Sequence, residues 1–597
     1  MFNDYYINMA VDLAKTIPIP TCSVDNLLAN QPRPEVWFEY KPVSEFDTYN
    51  VIKNLKPKTS LGPHNLSNKL VKNLKEVISK PLTTITNKSF QENKFPEYIK
   101  TAKLRPLLKN DDDDFDTSNY RPISNVPIFS KVIEKASQNQ EKTHLQNNNI
   151  ITDHQFGFRP NHSTVHPLML TKAYIEKHTN AGKFVILISI DLKKAFDTID
   201  VQSILPKKLE HYKFSENSKK FYQSYFLNRS QTVIANDTFS TTENLKNISV
   251  VQGSSKGPSA FLKIINDIVT NTNFYTCLFA DDTNLLCNSS NFDELENFAN
   301  VELIKIKNFM DANRLSLNLK KTVFTYFKPK KGPHKNDKRE FKLKIGNEEI
   351  KFVKELRFLG LIIDNELKFK THVQNVVKKM KRGLGALSLI KHTFPIKTKL
   401  LIYNALIKPH YEYVSIIWST NISKKQTNEI IKLQKRALRL IYLKNSIHHT
   451  SDLFKQSGVI RFDFLFEKEM LDLMYKKQTM QIPNLINKQL SNLSHSLNTR
   501  LANSVNYSLP SNVFNGNLMF NLLDSWNKSP KYIKNKILSA TKPPNNNIRN
   551  LNEKFKKIIK DYINTKYKQC SVKNCTSCEF STYGTKKIKG VIIPYFS

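Results

Sequence analysis

Three aspartates, Asp191, Asp281 and Asp282, stand where carboxylates can do metal chemistry. In Tyr275–Leu286 (YTCLFADDTNLL) two adjacent acids lie between short apolar arms. That pattern predicts two strands with the acidic pair in the tight turn joining them. Adjacent carboxylates repel, and holding them against buried strands is costly unless a cation neutralises them. Upstream, Phe184–Ile190 (FVILISI) is short, β-branched and almost wholly apolar, and Asp191 closes it. A buried strand ending in an acid delivers a ligand to the rim of a sheet. Together the three could hold two magnesium ions, the arrangement used for in-line displacement at phosphorus. The plain alternative is that they are ordinary strand-end aspartates in turns.

The strings SIDLKKAFDTI, VVQGSSKGPSAFLKIINDI and FADDTNLL follow one another in that order. They resemble the palm motifs of reverse transcriptases, specifically those of non-LTR (LINE-type, jockey-like) retrotransposons, and the resemblance extends over most of the chain. It implies an α+β right-hand polymerase: fingers, palm and thumb, an antiparallel palm sheet and a helical C-terminal region. The implied activity is RNA-directed DNA polymerisation, attack of a primer 3′-OH on the α-phosphate of a dNTP with release of pyrophosphate. Its cofactors are two Mg²⁺ ions, with Mn²⁺ as a substitute, held by Asp191, Asp281 and Asp282. Its partners are template RNA, primer or target DNA, and dNTPs. Members of this group usually have an endonuclease before the polymerase; no stretch here resembles one, so the nick that supplies the primer would come from elsewhere. Two other readings stay open. A decayed element product would keep the fold and bind nucleic acid without catalysis, and His64 and Val251, where the family usually has Asp and Pro, favour it. An RNA-dependent RNA polymerase is the other, and Phe196 speaks against it.

The resemblance assigns further residues. Lys109 and Arg121, in KLRPLLKN and NYRPISN, would grip the triphosphate, since an ammonium and a planar guanidinium suit phosphate oxygens; otherwise they are solvated surface charges. Gln155–Thr164 (QFGFRPNHST) resembles a template-contacting motif, with Arg159, Phe156 and Phe158 as contacts. Phe196, five residues after Asp191, would be a steric gate whose ring fills the space of a ribose 2′-OH, or else a core residue. Gln252 and Gly253 would touch template and incoming nucleotide through a loop where a side chain blocks backbone approach. Lys256 stands where the family has a small or aliphatic residue. Lys321, of the Lys321-Thr322 pair, would protonate the leaving pyrophosphate, with Lys320 competing for the role. Leu356–Asp364 (LRFLGLIID) reads as an apolar strand similar to a primer grip.

These elements divide the chain into an N-terminal extension (1–50), fingers (51–180), palm (181–365), thumb (366–450), a helical C-terminal region (451–569) and a basic tail (570–597). A loop at Lys58–Pro63 precedes a helix with Leu66, Leu70, Val71, Leu74, Val77 and Ile78 on one face. His372–Ile390 reads as a helix buried through Val373, Val376, Met380, Leu384 and Leu387. Leu401–Trp418 reads as a buried helix with an aromatic turn. Lys424–Tyr442 is strongly amphipathic, with Ile430, Leu433, Ala437 and Leu440 or Ile441 in one stripe and Lys432, Lys435, Arg436 and Arg439 in another. That basic stripe is either a wet helix face or a grip on a phosphate backbone. Thr499-Arg500 and Ser525-Trp526-Asn527 are similar to the family and suggest no chemistry. Cys570, Cys575 and Cys578 offer three of the four ligands zinc takes, so the tail is a degenerate zinc knuckle or three unpaired thiols.

The 597 residues carry 91 Lys and Arg against 52 Asp and Glu, a net charge of +39. Such an excess predicts an anionic partner, most simply a polyphosphate backbone. No apolar run is long enough to span a bilayer, and the acidic N-terminus is not a secretory signal. Six cysteines in this length fit a reducing compartment rather than a disulfide scaffold. The expectation is a protein of nucleus and cytoplasm, not secreted. Nothing in the sequence specifies an oligomeric state.

Overall fold

The computed structural model describes residues 1–59, 61–109, 116–236, 238–246, 253–492, 518–540, 548–565, 585–588 and 591–594. Strands β1 (Ala102–Leu108) and β2 (Tyr120–Asn125) form an antiparallel hairpin, and β3 (Phe184–Ile190) begins a second sheet. β4 (Ser230–Ala235) returns to the first sheet in parallel beside β1, flanked by the short β5 (Thr238–Phe239) and β6 (Glu243–Asn244). β7 (Tyr275–Phe279), β8 (Asp282–Ser289) and β9 (Val323–Phe327) pair antiparallel around β3. After the small hairpin β10 (Lys344–Ile345) and β11 (Glu348–Glu349), β12 (Lys351–Phe352) adds in parallel to β9. The second sheet therefore runs β12-β9-β3-β8-β7, antiparallel apart from its outermost pair.

β3 is central in that sheet and buried on both faces. Its period-two alternation sends Val185 and Leu187 into one core and Phe184, Ile186, Ile188 and Ile190 into the other. Val185 to Ile188 have no measurable exposure, and burying each such side chain is worth about 1.5–3 kcal/mol. The first core continues through the helix Val165–Asn180, the helices after residue 370 and the C-terminal helices, where Trp526 and Phe555 join it. The second core holds Tyr212, Phe221, Phe261 and the long helix Phe292–Ala312.

Several expectations are corrected. Residues 1–50, expected as an N-terminal extension, pack on the fold: the helix Phe2–Lys15 lays Tyr6 on Leu104 and Val233, and Val24, Leu28, Phe38 and Tyr40 enter the second core. The apolar set from Leu66 to Ile78 is broken between the helices Asn68–Asn73 and Lys75–Gln91, leaving Leu70, Leu74 and Val77 exposed. Leu356–Asp364 is a hairpin of β13 (Glu355–Phe358) and β14 (Leu361–Asp364), turned at Leu359 and Gly360, both of positive φ. Leu401–Trp418 is part of three short helices, Ile396–Leu406, Lys408–Glu412 and Ser415–Trp418, because Pro409 and the left-handed Val414 interrupt it. The helices expected at 372–390 and 424–442 are present as Lys370–Ile390 and Lys424–Ile441, with the predicted apolar residues buried and Ile441 rather than Leu440 completing the stripe. Trp526, which suggested no chemistry, is a fully buried anchor.

Candidate active site

Strand register brings the carboxylates together. β3 pairs with β8 so that Ile190 faces Thr283, which carries Asp191 alongside Asp282. β7 pairs with β8 with Phe279 facing Asp282, leaving Ala280 and Asp281 as a two-residue turn. Only Asp281 thus lies in the turn; Asp282 opens β8, one step later than the expected acidic pair. Asp191 is held from β9's side: its N–H donates to Thr322 Oγ1 (3.3 Å), and its Oδ2 accepts from Asn318 Nδ2 (2.7 Å).

The three carboxylates also act on one another electrostatically. Burial pushes the Asp281 carboxyl up, and Asp191 adds to that, while its own backbone N–H and the Arg121 guanidinium pull it back. Burial, then Asp281 and Asp191, push Asp282 up to about 6. A rim with three mutually repelling acids and Arg121 as the cation acting on Asp281 is short of positive charge, which suits a divalent cation with oxygen ligands. Among the described residues no group of three His, Cys, Asp or Glu side chains stands ready-made to hold a metal ion.

A clamp fixes the turn. Gln155 Oε1 accepts from the Ala280 N–H (2.9 Å) and the Gly157 N–H (2.8 Å). His154 and Phe156 exchange backbone hydrogen bonds with Leu278 on β7. A Cβ on Gly157 would lie 2.3 Å from Ala280 N, so no other residue fits there without moving the turn. Ala280 itself has φ +57°, a strained value for alanine. Gln155 and Gly157 were missed as positioning residues; the glycine inside an aromatic-rich motif was the signal.

The remaining candidates divide. Arg121 is exposed on β2 and acts on Asp281. Phe196 is half-buried between Phe158 (6.2 Å, edge-on) and Phe261 (5.1 Å), backed by the core and close to Asp191 in the chain. Lys109 Nζ donates to Ser118 O (2.7 Å), closing the β1–β2 loop. Arg159 Nη1 donates to Thr152 O (2.6 Å) and Gln155 O (3.1 Å), so it braces the clamp where a template contact was expected. Gly253 (φ +113°) approaches backbone as expected, but protein backbone: a Cβ there would sit 2.3 Å from Ser124 O on β2. Lys320 and Lys321 are both exposed on the turn before Thr322. Of the basic stripe, Lys432 and Arg436 are exposed, Lys435 is buried, and Arg439 Nε donates to His448 O (2.9 Å). That correction follows from packing, since a stripe spanning this arc of a helix meets both solvent and neighbour. Gln252, Val251, Cys570, Cys575 and Cys578 lie outside the described residues.

Lys256, the departure from the expected aliphatic residue, is fully buried at the start of the helix Lys256–Ile265. It pairs with Glu141, whose other oxygen takes Lys263 Nζ at 3.0 Å, and Tyr40 OH donates to the same carboxylate (2.6 Å). Burial pushes Glu141 up, but Lys256 and Lys263 outweigh it and hold the acid at about 2. Beside it, Ser255 N–H donates to Glu134 Oε2 (2.9 Å) and Gln138 Nε2 to Ser255 O (2.7 Å). These bonds fix the loop that carries Gly253.

Residues 107–363 match the family described as reverse transcriptase (RNA-dependent DNA polymerase). The chain is 24% identical over 412 residues to a probable RNA-directed DNA polymerase from transposon BS of Drosophila melanogaster, covering 67% of this chain and 45% of that protein. It is 23% identical over 413 residues to the RNA-directed DNA polymerase from mobile element jockey of Drosophila funebris, covering 67% and 44%. A putative 115 kDa protein in the type-1 retrotransposable element R1DM of Drosophila melanogaster is 24% identical over 388 residues, 64% of this chain and 36% of that protein. The matched regions are thus less than half the length of these relatives.

Two stability measurements check this geometry. The raised Asp282 means that the folded state resists ionisation, a penalty that develops as pH rises from about 4 to about 6 and persists above. In cation-free buffer Asp282→Asn therefore melts higher than wild type at pH 7.5 and equal to it near pH 4, and Mg²⁺ reverses the order at pH 7.5. A difference independent of pH would show that Asp282 is not raised in the folded state. For the buried network, Glu141→Gln strands two lysines and costs about 3–5 kcal/mol, whereas Lys256→Met leaves the Glu141–Lys263 pair and costs less than half of that. Urea midpoints in the opposite order would refute the shared-carboxylate arrangement.

Proposed function

We propose, from the premise that residues 107–363 are a reverse transcriptase domain, that this chain is an RNA-directed DNA polymerase of a non-LTR retrotransposon. The observation that carries the reading is the register of β3, β8 and β7, which sets Asp191 beside the Asp281–Asp282 turn, where the Arg121 charge on β2 also acts on Asp281. In this reading the β1–β2 hairpin and the helices around it are fingers, the β12-β9-β3-β8-β7 sheet is the palm, and the helices from Lys370 to Ile441 are the thumb.

When bound, two Mg²⁺ ions held by Asp191, Asp281 and Asp282 supply a primer hydroxyl of lowered pKa and charge neutralisation on the triphosphate. The protein's own groups do the rest. Asn318 and Thr322 hold Asp191 in orientation, and the Gln155–Gly157 clamp holds the turn, so the ligands need little reorganisation. Arg121 presents a planar donor set to the phosphates. Phe196, backed by Phe261, fills the position from which a 2′-OH is excluded. Lys320 or Lys321 donates the proton to pyrophosphate. Exposed Lys432 and Arg436 contribute to backbone binding of RNA and DNA, which weakens steeply with salt. Lys256, a further departure from the family's usual residue, is compensated within the fold by Glu141.

The test is primer extension on poly(rA)/oligo(dT) with Mg²⁺ and dTTP. Wild type extends, and the Asp281→Ala, Asp282→Ala double variant does not. Gly157→Ala, which must displace the turn, loses about 100-fold, the scale of a 1 Å misplacement. Absence of extension by wild type, with salt-sensitive RNA binding intact, would leave a binding protein instead. In a separate comparison of dNTP and NTP incorporation, Phe196→Val admits ribonucleotides that wild type rejects. Unchanged discrimination would make Phe196 a core residue only.

A further inference from the structure

We propose that the corner of the β12-β9-β3-β8-β7 sheet farthest from the three aspartates is a second nucleic-acid site, holding a phosphate backbone that lies outside the cleft. The inference goes beyond the polymerase reading above and uses it only to say which end of the sheet is the cleft. β3 runs from Phe184 at this corner to Ile190 beside Asp191, seven residues, so at about 3.3 Å per residue the two ends are about 20 Å apart. That is more than twice the screening length of about 8 Å at physiological salt, so charge at this corner does not serve the carboxylates.

The corner is built from two segments. β9 pairs with β3 so that Phe327 faces Val185, and the loop after β9 therefore emerges beside Phe184. There it meets the end of the helix Val165–Asn180: the Lys330 N–H donates to Thr179 O (3.0 Å). Pro329 is buried, Tyr326 OH donates to Arg339 O (3.3 Å), and the Arg339 guanidinium lies 4.3 Å over the Phe292 ring. The loop is thus tied down along its length. It presents Lys328, Lys330, Lys335 and Lys338 to solvent, with exposed Lys177 and half-buried Lys183 on either side of Thr179 in the chain.

The charge at this corner is largely uncompensated. Asp337 and Asp293 are both engaged by Arg339, at 2.8 and 3.1 Å, which leaves Glu340 as the loop's other acid. Burial, then the charges of Lys177 and Lys183, push His178 down to about 4, so these two lysines act on one spot. None of the large apolar side chains exposed among the described residues belongs to this loop or to 177–183. Protein interfaces centre on aromatic and apolar anchors and are depleted in lysine, whereas a phosphate backbone is gripped by lysine through charge. Cations spread over a fixed loop and a helix end suit a run of phosphates rather than one small anion. That backbone belongs either to RNA beyond the cleft or to a DNA duplex.

The test loads the full chain with one equivalent of unlabelled primer–template, then titrates a labelled second probe, duplex DNA or poly(rA), over a range of salt. Loaded wild type binds a second probe, with log affinity falling steeply against log salt. Combining Lys177→Gln, Lys330→Gln, Lys335→Gln and Lys338→Gln makes that slope shallower by about 3 to 4, the weight of four phosphate contacts. Affinity for the primer–template stays as in wild type. The probe that shows the change identifies the source of the backbone. The proposal is overturned by absence of second binding to loaded wild type, by an unchanged slope for both probes, or by an equal loss at the primer–template, which would be a general effect of net charge. Poly-glutamate binding as tightly as either probe also overturns it and assigns the corner to an acidic protein segment. Extension of the loaded primer in the same preparation keeps the two readings apart. Second binding without extension refutes the polymerase reading alone, and extension without second binding refutes the corner alone.

Discussion

Like charges held at the rim of a buried sheet are the constraint on which the rest of this structure depends. β3 can hold Asp191 in place because both its faces are packed, so the strand cannot slide to relieve repulsion with Asp282. The turn is restrained in the same way: Gln155 binds the Ala280 N–H, and Gly157 lies against it too closely for any side chain. A rigid frame around these carboxylates keeps their repulsion unrelieved, a charge imbalance that an opposite charge would neutralise.

Charge in this basic protein is used in two ways. Lys256, Lys263, Lys208 and Lys172 are buried and sit next to Glu141, Asp267 and Glu176. Lys109, Arg159 and Arg439 bind backbone carbonyls. Isolated buried charges are costly, so each of these cations is tied to a specific carboxylate or carbonyl and fixes which elements meet. The excess of positive charge therefore overstates how many side chains are available to a phosphate backbone. Lys432 and Arg436 remain available; Lys435 does not.

The helical C-terminal half is continuous with the sheet. Lys172 Nζ donates to Ile417 O (2.6 Å) and Asn421 Oδ1 (2.7 Å), and the Leu518 N–H donates to Glu176 Oε2 (2.7 Å). With Trp526 and Phe555 in the same core as Leu187, the helices after residue 370 brace the sheet that carries Asp191 and Asp282 rather than form a separately folded appendage. The segment 482–484 also lines one cavity together with residues of the helices Ile128–Asn147 and Lys256–Ile265.

The sequence by itself determined the strongly periodic elements and the strand ends on which the acidic residues stand. The acid-tipped apolar run at Phe184–Asp191, the FADD turn and the helices at 370–390 and 424–441 were legible because burial imposes periods of 2 and 3.6 on residue type. What only tertiary structure decided was which polar groups are free. Nothing local distinguishes Arg121, exposed on β2 with its charge acting on Asp281, from Arg159, which braces a loop, or Lys432 from the buried Lys435. Nor could spacing show that Lys256 would find Glu141 more than a hundred residues earlier, or that the glycine of QFGF would press on Ala280. Those outcomes depend on contacts between segments distant in the chain, where a single carboxylate or a missing Cβ decides the fit.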